Sequence, residues 1–180
     1  LSREHWAEDA EPYLRPVATG EPGAWQQEAQ QHGHRGEQQL TEVGEVVPPA
    51  RVARALRISG GTPVVVRRRI ISLDGKATEL TDSYYPAHIA RGTALAEPRK
   101  IRGGAVTLLA ELGYVGHARH EEVMAREPSD GERTALALDD NEWVLDVCRL
   151  VVNADDEPFE VTTMTMPARG RTLHYIAKIG

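Results

Sequence analysis

The chain has 180 residues, 41% hydrophobic and 27% charged, a globular composition that excludes a collagenous or wholly disordered polypeptide and suits one core. Acidic side chains outnumber basic ones by 27 to 21, a formal net charge of −6, which excludes the bulk positive charge of a self-sufficient nucleic-acid binder. Aromatic residues make up only 5%, so the core must come from Val, Leu, Ile and Ala, in apolar runs too short to span a bilayer.

Residues 1–36 are rich in Glu, Gln, Gly, Pro and His and are punctuated by Pro12, Pro16, Gly20, Pro22 and Gly23, so they read as a linker or loosely packed lead-in with two possible helical turns over 24–31. The domain proper occupies 37–180. Residues 40–47 form a strand ending at Pro48-Pro49, and 50–56 have helical spacing with Val52, Ala53 and Leu56 on the apolar side and Pro49 at the first helical position. Two long strands follow over 62–72 and 76–85, joined by Asp74-Gly75, a pair suited to a tight hairpin because both residues accept positive φ.

Gly103-Gly104 leads into a short helix over 105–112, with Leu108, Leu109 and Leu112 on one face and Gly113 closing it. Residues 117–125 read as a polar-edged strand, and Ser129 with Glu132 forms a capping box that opens a helix from Asp130 to about Leu138. A second hairpin spans 143–152 and 159–166 around the turn 153–157, and 172–176 is a last strand. Hairpins at the centre in place of βαβ crossovers predict an α+β fold with a mainly antiparallel sheet. No internal repeat is evident at this level, although the two Asp-containing hairpins share a texture.

No catalytic constellation emerges. The seven histidines form no HExxH or Cys/His pair; His32 and His34 lie in the weakly structured segment, and a strand over 117–125 splits His117 and Glu121 from His120 and Glu122. A nucleophile elbow, a Walker sequence and a glycine-rich nucleotide loop are all missing, and no cofactor is implied. Cys148, the one cysteine, cannot form an internal disulfide and reads as a buried thiol in a cytoplasmic chain. Arg67-Arg68-Arg69 carries more information, because alternation forces at least one guanidinium onto an apolar surface, where it needs a carboxylate or an anionic ligand. An ion pair to Glu79, Asp82 or Glu160, or snorkelling at a sheet edge, would satisfy it equally.

A set of short segments in fixed order carries a family resemblance. Leu56-Arg57-Ile58, Gly61-Thr62-Pro63-Val64, Arg69-Ile70-Ile71-Ser72-Leu73-Asp74-Gly75, Asp82-Ser83-Tyr84-Tyr85-Pro86, Gly104-Ala105-Val106-Thr107-Leu108-Leu109 and Glu157-Pro158-Phe159-Glu160-Val161-Thr162 together resemble the UTRA effector-binding domain of the HutC subfamily of GntR-type bacterial transcription regulators, in an actinobacterial-like style. The resemblance implies a chorismate-lyase-like α+β fold, an antiparallel sheet of about six strands flanked by helices. It also implies a sensor without enzymatic activity, a homodimeric repressor domain whose small-molecule effector alters operator DNA binding by an N-terminal winged-helix domain not present in this chain.

In the sugar-phosphate-sensing members the resemblance implies an arginine at Arg69, a second arginine at the place of Ile71, a carboxylate at Thr81, a Ser and a Tyr at Gly104 and Val106, and a Glu at Glu160. Arg69 and Glu160 keep the pattern and the other four do not, which argues against a phosphosugar. An effector with one anionic or carbonyl group, oriented by Arg69 and the amides of Gly104 and Ala105, fits better. Two other functions compete: a chorismate-lyase-like enzyme using Arg69 and Glu160, and a stand-alone protein-interaction domain with a collapsed pocket.

Overall fold

A computed structural model of the chain describes residues 6–9, 29–30 and 32–175. Its main body is a six-stranded antiparallel sheet in the order β2-β3-β4-β7-β6-β5, formed by β2 (Gly36–Val46), β3 (Val64–Leu73), β4 (Lys76–Pro86), β5 (Ala118–Arg126), β6 (Val144–Val152) and β7 (Pro158–Pro167). The helices are α1 (Ala50–Ala55), α2 (Ala87–Ala90), α3 (Gly104–Glu111) and α4 (Asp130–Ala135), with a 3₁₀ turn at Ala94–Ala96. The architecture is α+β of the chorismate-lyase-like kind.

Two β-α-β-β units build the sheet, which corrects the expectation that the chain holds no internal repeat. Ala50 and Asp130 open the two helices 80 positions apart, and Val64 and Val144 begin the following strands at the same spacing. Both helices end alike. Ile58 N–H donates to Ala53 and Arg57 N–H to Arg54, as Leu138 does to Arg133 and Ala137 to Thr134, and Arg57 and Ala137 hold φ values of 55° and 50°. These are Schellman closures with a left-handed residue after the cap, a place that usually takes glycine. The repeat is also written in the second hairpin strands, where Glu79-Leu80-Thr81 precedes Pro86 as Glu160-Val161-Thr162 precedes Pro167. β4 and β7 meet at the centre, with Asp82 opposite Thr163 and Ser83 opposite Thr162.

Local expectations hold with small shifts. Asp74 (φ 51°) and Gly75 (φ 79°) form the tight hairpin, and the Ser129–Glu132 capping box is complete. Pro49 is the cap of α1, one place before the first helical residue, and α4 stops at Ala135 because Ala137 turns left-handed. The final strand, β8 (Arg171–His174), begins earlier than expected and pairs in parallel with β1 (Trp6–Asp9). Part of the supposed lead-in therefore adds a strand, which local composition did not announce. Of the turns predicted over 24–31, only 29–30 fall among the described residues.

Alternation divides the sheet into two faces. On the back, Val52 of α1 and Leu56 at its C-terminal cap pack on Val64, Val66, Tyr84, Cys148 and Val161. On the front, one end is covered by Ile89, Leu95, Ile101 and Leu109, which pack on Val65, Tyr85, Val151 and Phe159. At the other end Leu173 of β8 lies against Val147, Met164 and Met166.

Candidate functional site

Between those two apolar covers the front face turns polar. Val43, Arg67, Ser83, Thr162, Arg149 and Glu121 lie directly opposite one another across all six strands. Such a row survives inside a protein only when its polar groups find partners, and Arg67, Arg69 and Arg149 on this face do so to different degrees.

Arg67, 5% exposed, is held by backbone. Its Nη1 donates to the carbonyls of Ala94 (3.1 Å), Leu95 (2.9 Å) and Glu97 (2.8 Å), and Nη2 to that of Arg99 (2.7 Å). Burial lowers the pKa of this guanidinium. The buried member of the Arg67-Arg68-Arg69 run thus takes neither a carboxylate nor an anion, contrary to the sequence expectation, because a five-donor fork fits a ring of carbonyls. Arg68 points to the back face and pairs with Asp82 (2.7 Å) and Glu42 (3.0 Å).

Arg69 stands apart. Its Nη2 donates to Ser83 Oγ at 2.6 Å, while its buried Nε has no hydrogen-bond partner. Ser83 Oγ lies 3.0 Å from Thr162 Oγ1, and Thr162 in turn donates to Glu160 Oε1 over a long 3.4 Å. Tyr85 O–H donates to the same oxygen at 3.0 Å. Arg69 and Glu160 do not pair directly; two hydroxyls stand between them. Burial pushes the Glu160 carboxyl above its usual range, partly opposed by the Tyr85 hydroxyl and the Arg69 charge. It pushes the Tyr85 phenol strongly up as well.

The other expected residues differ in burial and in partners. Ile71 (7% exposed) and Thr81 (5% exposed) are buried, and the Thr81 hydroxyl donates to Glu79. Gly104 starts α3 at φ 83°, but its amide already donates to the Ile101 carbonyl at 3.1 Å, so it is occupied within its own turn. Ala105 packs against the cluster that contains Tyr85, and Val106 is half-buried on the same turn of α3.

Ser83, Tyr85, Thr162 and Arg149 were missed by the residue-level reading. Strand alternation from Thr81 and from Glu160 would have placed the first three on the same face. Arg149 is the repeat partner of Arg69; its Nε donates to Glu121, and both side chains are largely buried. Among the described residues no group of three or more His, Cys, Asp or Glu could hold a metal ion, and no helix is long and apolar enough to cross a membrane.

A six-stranded antiparallel sheet flanked by short helices is the fold of the ligand-binding domains carried by GntR-family transcription regulators. The chain belongs to the UTRA domain family, whose sequence profile matches residues 31–169. An HTH-type transcriptional regulator of Streptomyces coelicolor is 32% identical over 125 residues, covering 68% of this chain and 46% of that protein. The chain thus spans less than half the length of this curated relative. The effector domain of PhnF from Mycobacterium smegmatis has the same fold, with a TM-score of 0.71, 17% identity, and coverage of 87% of this chain and 95% of that one. So does the C-terminal domain of the histidine utilization repressor from Pseudomonas syringae, with a TM-score of 0.66, 15% identity, and coverage of 81% and 100%.

Proposed function

We propose that this domain is the effector sensor of a GntR/HutC-type repressor, binding a small molecule on the front face of the sheet and passing the event to a winged-helix DNA-binding domain elsewhere in the full-length protein. The observation that carries this reading is the unpaired, buried Nε of Arg69 beside a carboxylate that the arginine does not neutralise. A cation and an acid held apart on the partly buried front face present two recognition points to a ligand. Arg69 serves an anionic or carbonyl group; Glu160 serves a hydroxyl or an N–H.

Ile71, Thr81, Gly104, Ala105 and Val106 form the remaining wall in this reading. A phosphate needs several donors, and this wall offers few: Thr81 is engaged with Glu79 and the Gly104 amide with Ile101. The effector class we propose is therefore a small, mainly apolar carboxylate or carbonyl compound, not a phosphosugar. The domain works as a cytoplasmic homodimer, since a two-fold operator needs a two-fold reader, and it performs no catalysis. The test is a thermal-shift screen of small carboxylates, sugars and sugar phosphates, followed by calorimetry and an incubation with chorismate. Stabilisation by a carboxylate or carbonyl compound that Arg69→Met abolishes supports the reading. Pyruvate release from chorismate would replace it with the lyase.

A further inference from the structure

The front face of the sheet holds a cleft under the end of β8. It measures about 290 Å³ with the open space at its mouth included, and its floor is apolar, made of Val147, Met164, Met166 and Leu173. Arg149, Glu121, His174 and Tyr175 complete the lining; Arg69 and Glu160 take no part in it. The repeat explains its character. β3 maps onto β6 as Val64 onto Val144, and β4 onto β7 as Glu79 onto Glu160 and Pro86 onto Pro167, so Arg149, Met164 and Met166 are the counterparts of Arg69, Ser83 and Tyr85. In the first unit the Ser83 and Tyr85 hydroxyls stand between Arg69 and Glu160. In the second, two thioethers replace those hydroxyls, and Arg149 turns to Glu121.

Charge at the rim is not balanced. Glu121 is the one carboxylate among the lining side chains, and Arg149 already holds it. Arg119 lies two residues before Glu121 on the same face of β5, close enough for its charge to act on both Glu121 and Tyr175. Its buried Nη1 has no hydrogen-bond partner. A second guanidinium beside a closed ion pair leaves a surplus positive charge next to an apolar floor, and a buried donor without an acceptor is unfavourable until one reaches it.

We propose that this cleft is a second ligand site, separate from the one at Arg69, for a short-chain apolar carboxylate whose tail lies on Val147, Met164, Met166 and Leu173 and whose carboxylate accepts hydrogen bonds from Arg119. Methionine suits such a floor, because an unbranched thioether adapts to the outline of a small chain. The Arg149–Glu121 pair stays closed, since parting it would leave a buried charge uncompensated. The cleft lies at the lower end of the range for small-molecule sites, about 300–1,000 Å³, so the chain it takes is short.

The chain has three methionines, which makes methyl-labelled methionine NMR a direct test. Met164 and Met166 report on the floor of the cleft, and Met124, exposed on β5, is the control. Sodium hexanoate is expected to shift the Met164 and Met166 signals saturably at millimolar concentration and to leave Met124 unmoved, with hexanol at least tenfold weaker. Arg119→Gln is expected to weaken hexanoate binding at least tenfold without changing the circular dichroism spectrum, and Arg69→Gln to change it less than threefold. The comparison of hexanoate with hexanol uses the wild type alone.

Unmoved Met164 and Met166 signals would overturn the proposal, as would equal affinity for hexanol or hexanoate binding indifferent to Arg119→Gln. Shifts that Arg69→Gln abolishes and Arg119→Gln preserves would assign hexanoate to the Arg69 site, overturning the second site while supporting the sensor reading, so the two are told apart.

Discussion

Arg69 and Arg149 occupy equivalent places in the two β-α-β-β units, 80 positions apart, yet only Arg149 has a carboxylate: it donates to Glu121, whereas Arg69 donates to the neutral hydroxyl of Ser83. One topology thus carries a closed ion pair on one side of its pseudo-axis and an incompletely satisfied cation on the other. A closed pair must be broken before a ligand can use it, and an open cation need not be.

That asymmetry fixes the first prediction. In Arg69→Met the apolar stem remains and the charge-assisted hydrogen bonds go, so effector affinity is expected to fall by about ten- to a hundredfold. Arg149→Met is expected to leave affinity within about threefold and to lower stability by about 2–4 kcal/mol, because Glu121 is left buried without its cation. Calorimetry with the effector found by screening, and urea titration of both variants, check the two halves separately.

Arg67 is expected to behave differently from its neighbour. Replacing it with Met strands four backbone carbonyls, those of Ala94, Leu95, Glu97 and Arg99, and is expected to cost about 3–5 kcal/mol of stability. Lysine is not expected to rescue it, since a single ammonium cannot span two groups of acceptors in a fork. Denaturant midpoints of Arg67→Met and Arg67→Lys measure this.

Two carboxyls push the pH dependence of stability in opposite directions. Glu132 accepts both Nη groups of Arg126, at 2.7 and 2.8 Å, which helps hold its pKa down to about 2 from 4.5. Its contribution is fully present above the unfolded value and is lost as pH falls toward 2. Glu160 is raised by burial, so the stability linked to its protonated form is present below pH 4.5 and lost as pH rises through its folded value. Glu132→Gln is therefore expected to cost about 1–2 kcal/mol at pH 7 and to flatten the acid limb. Glu160→Gln is expected to be tolerated better at pH 7 than at pH 4, relative to wild type. Thermal melts across pH 2–8 check both signs.

The repeat supplies a stabilising prediction. Ala137 sits at φ 50° after α4, where a Cβ costs about 1 kcal/mol, so Ala137→Gly is expected to raise stability by about 0.5–1 kcal/mol. Glycine at Arg57, its counterpart, is expected to give no such gain, because Arg57 also donates to the Asp156 carboxylate and carbonyl at 2.7 Å. Parallel urea titrations distinguish them.

Local chemistry made much of this protein legible in its sequence. Alternation and the Asp74-Gly75 pair announced the first hairpin, Ser129 and Glu132 announced a helix start, and the order of short motifs announced the family, because these signals act within a few residues of one another. The Glu-x-Thr repeat, Glu79 to Thr81 and Glu160 to Thr162, was also there to be read, but two matching polar positions in eighty do not stand out until the strands align them.

Which arginine is buried was decided only in three dimensions. Alternation puts Arg67 and Arg69 on one face without saying what covers either. Residues 94–99 fold over Arg67 and offer four carbonyls, while Arg69 meets hydroxyls from strands β4 and β7. The partners of a buried charge come from segments distant in the chain, so their placement belongs to the tertiary structure.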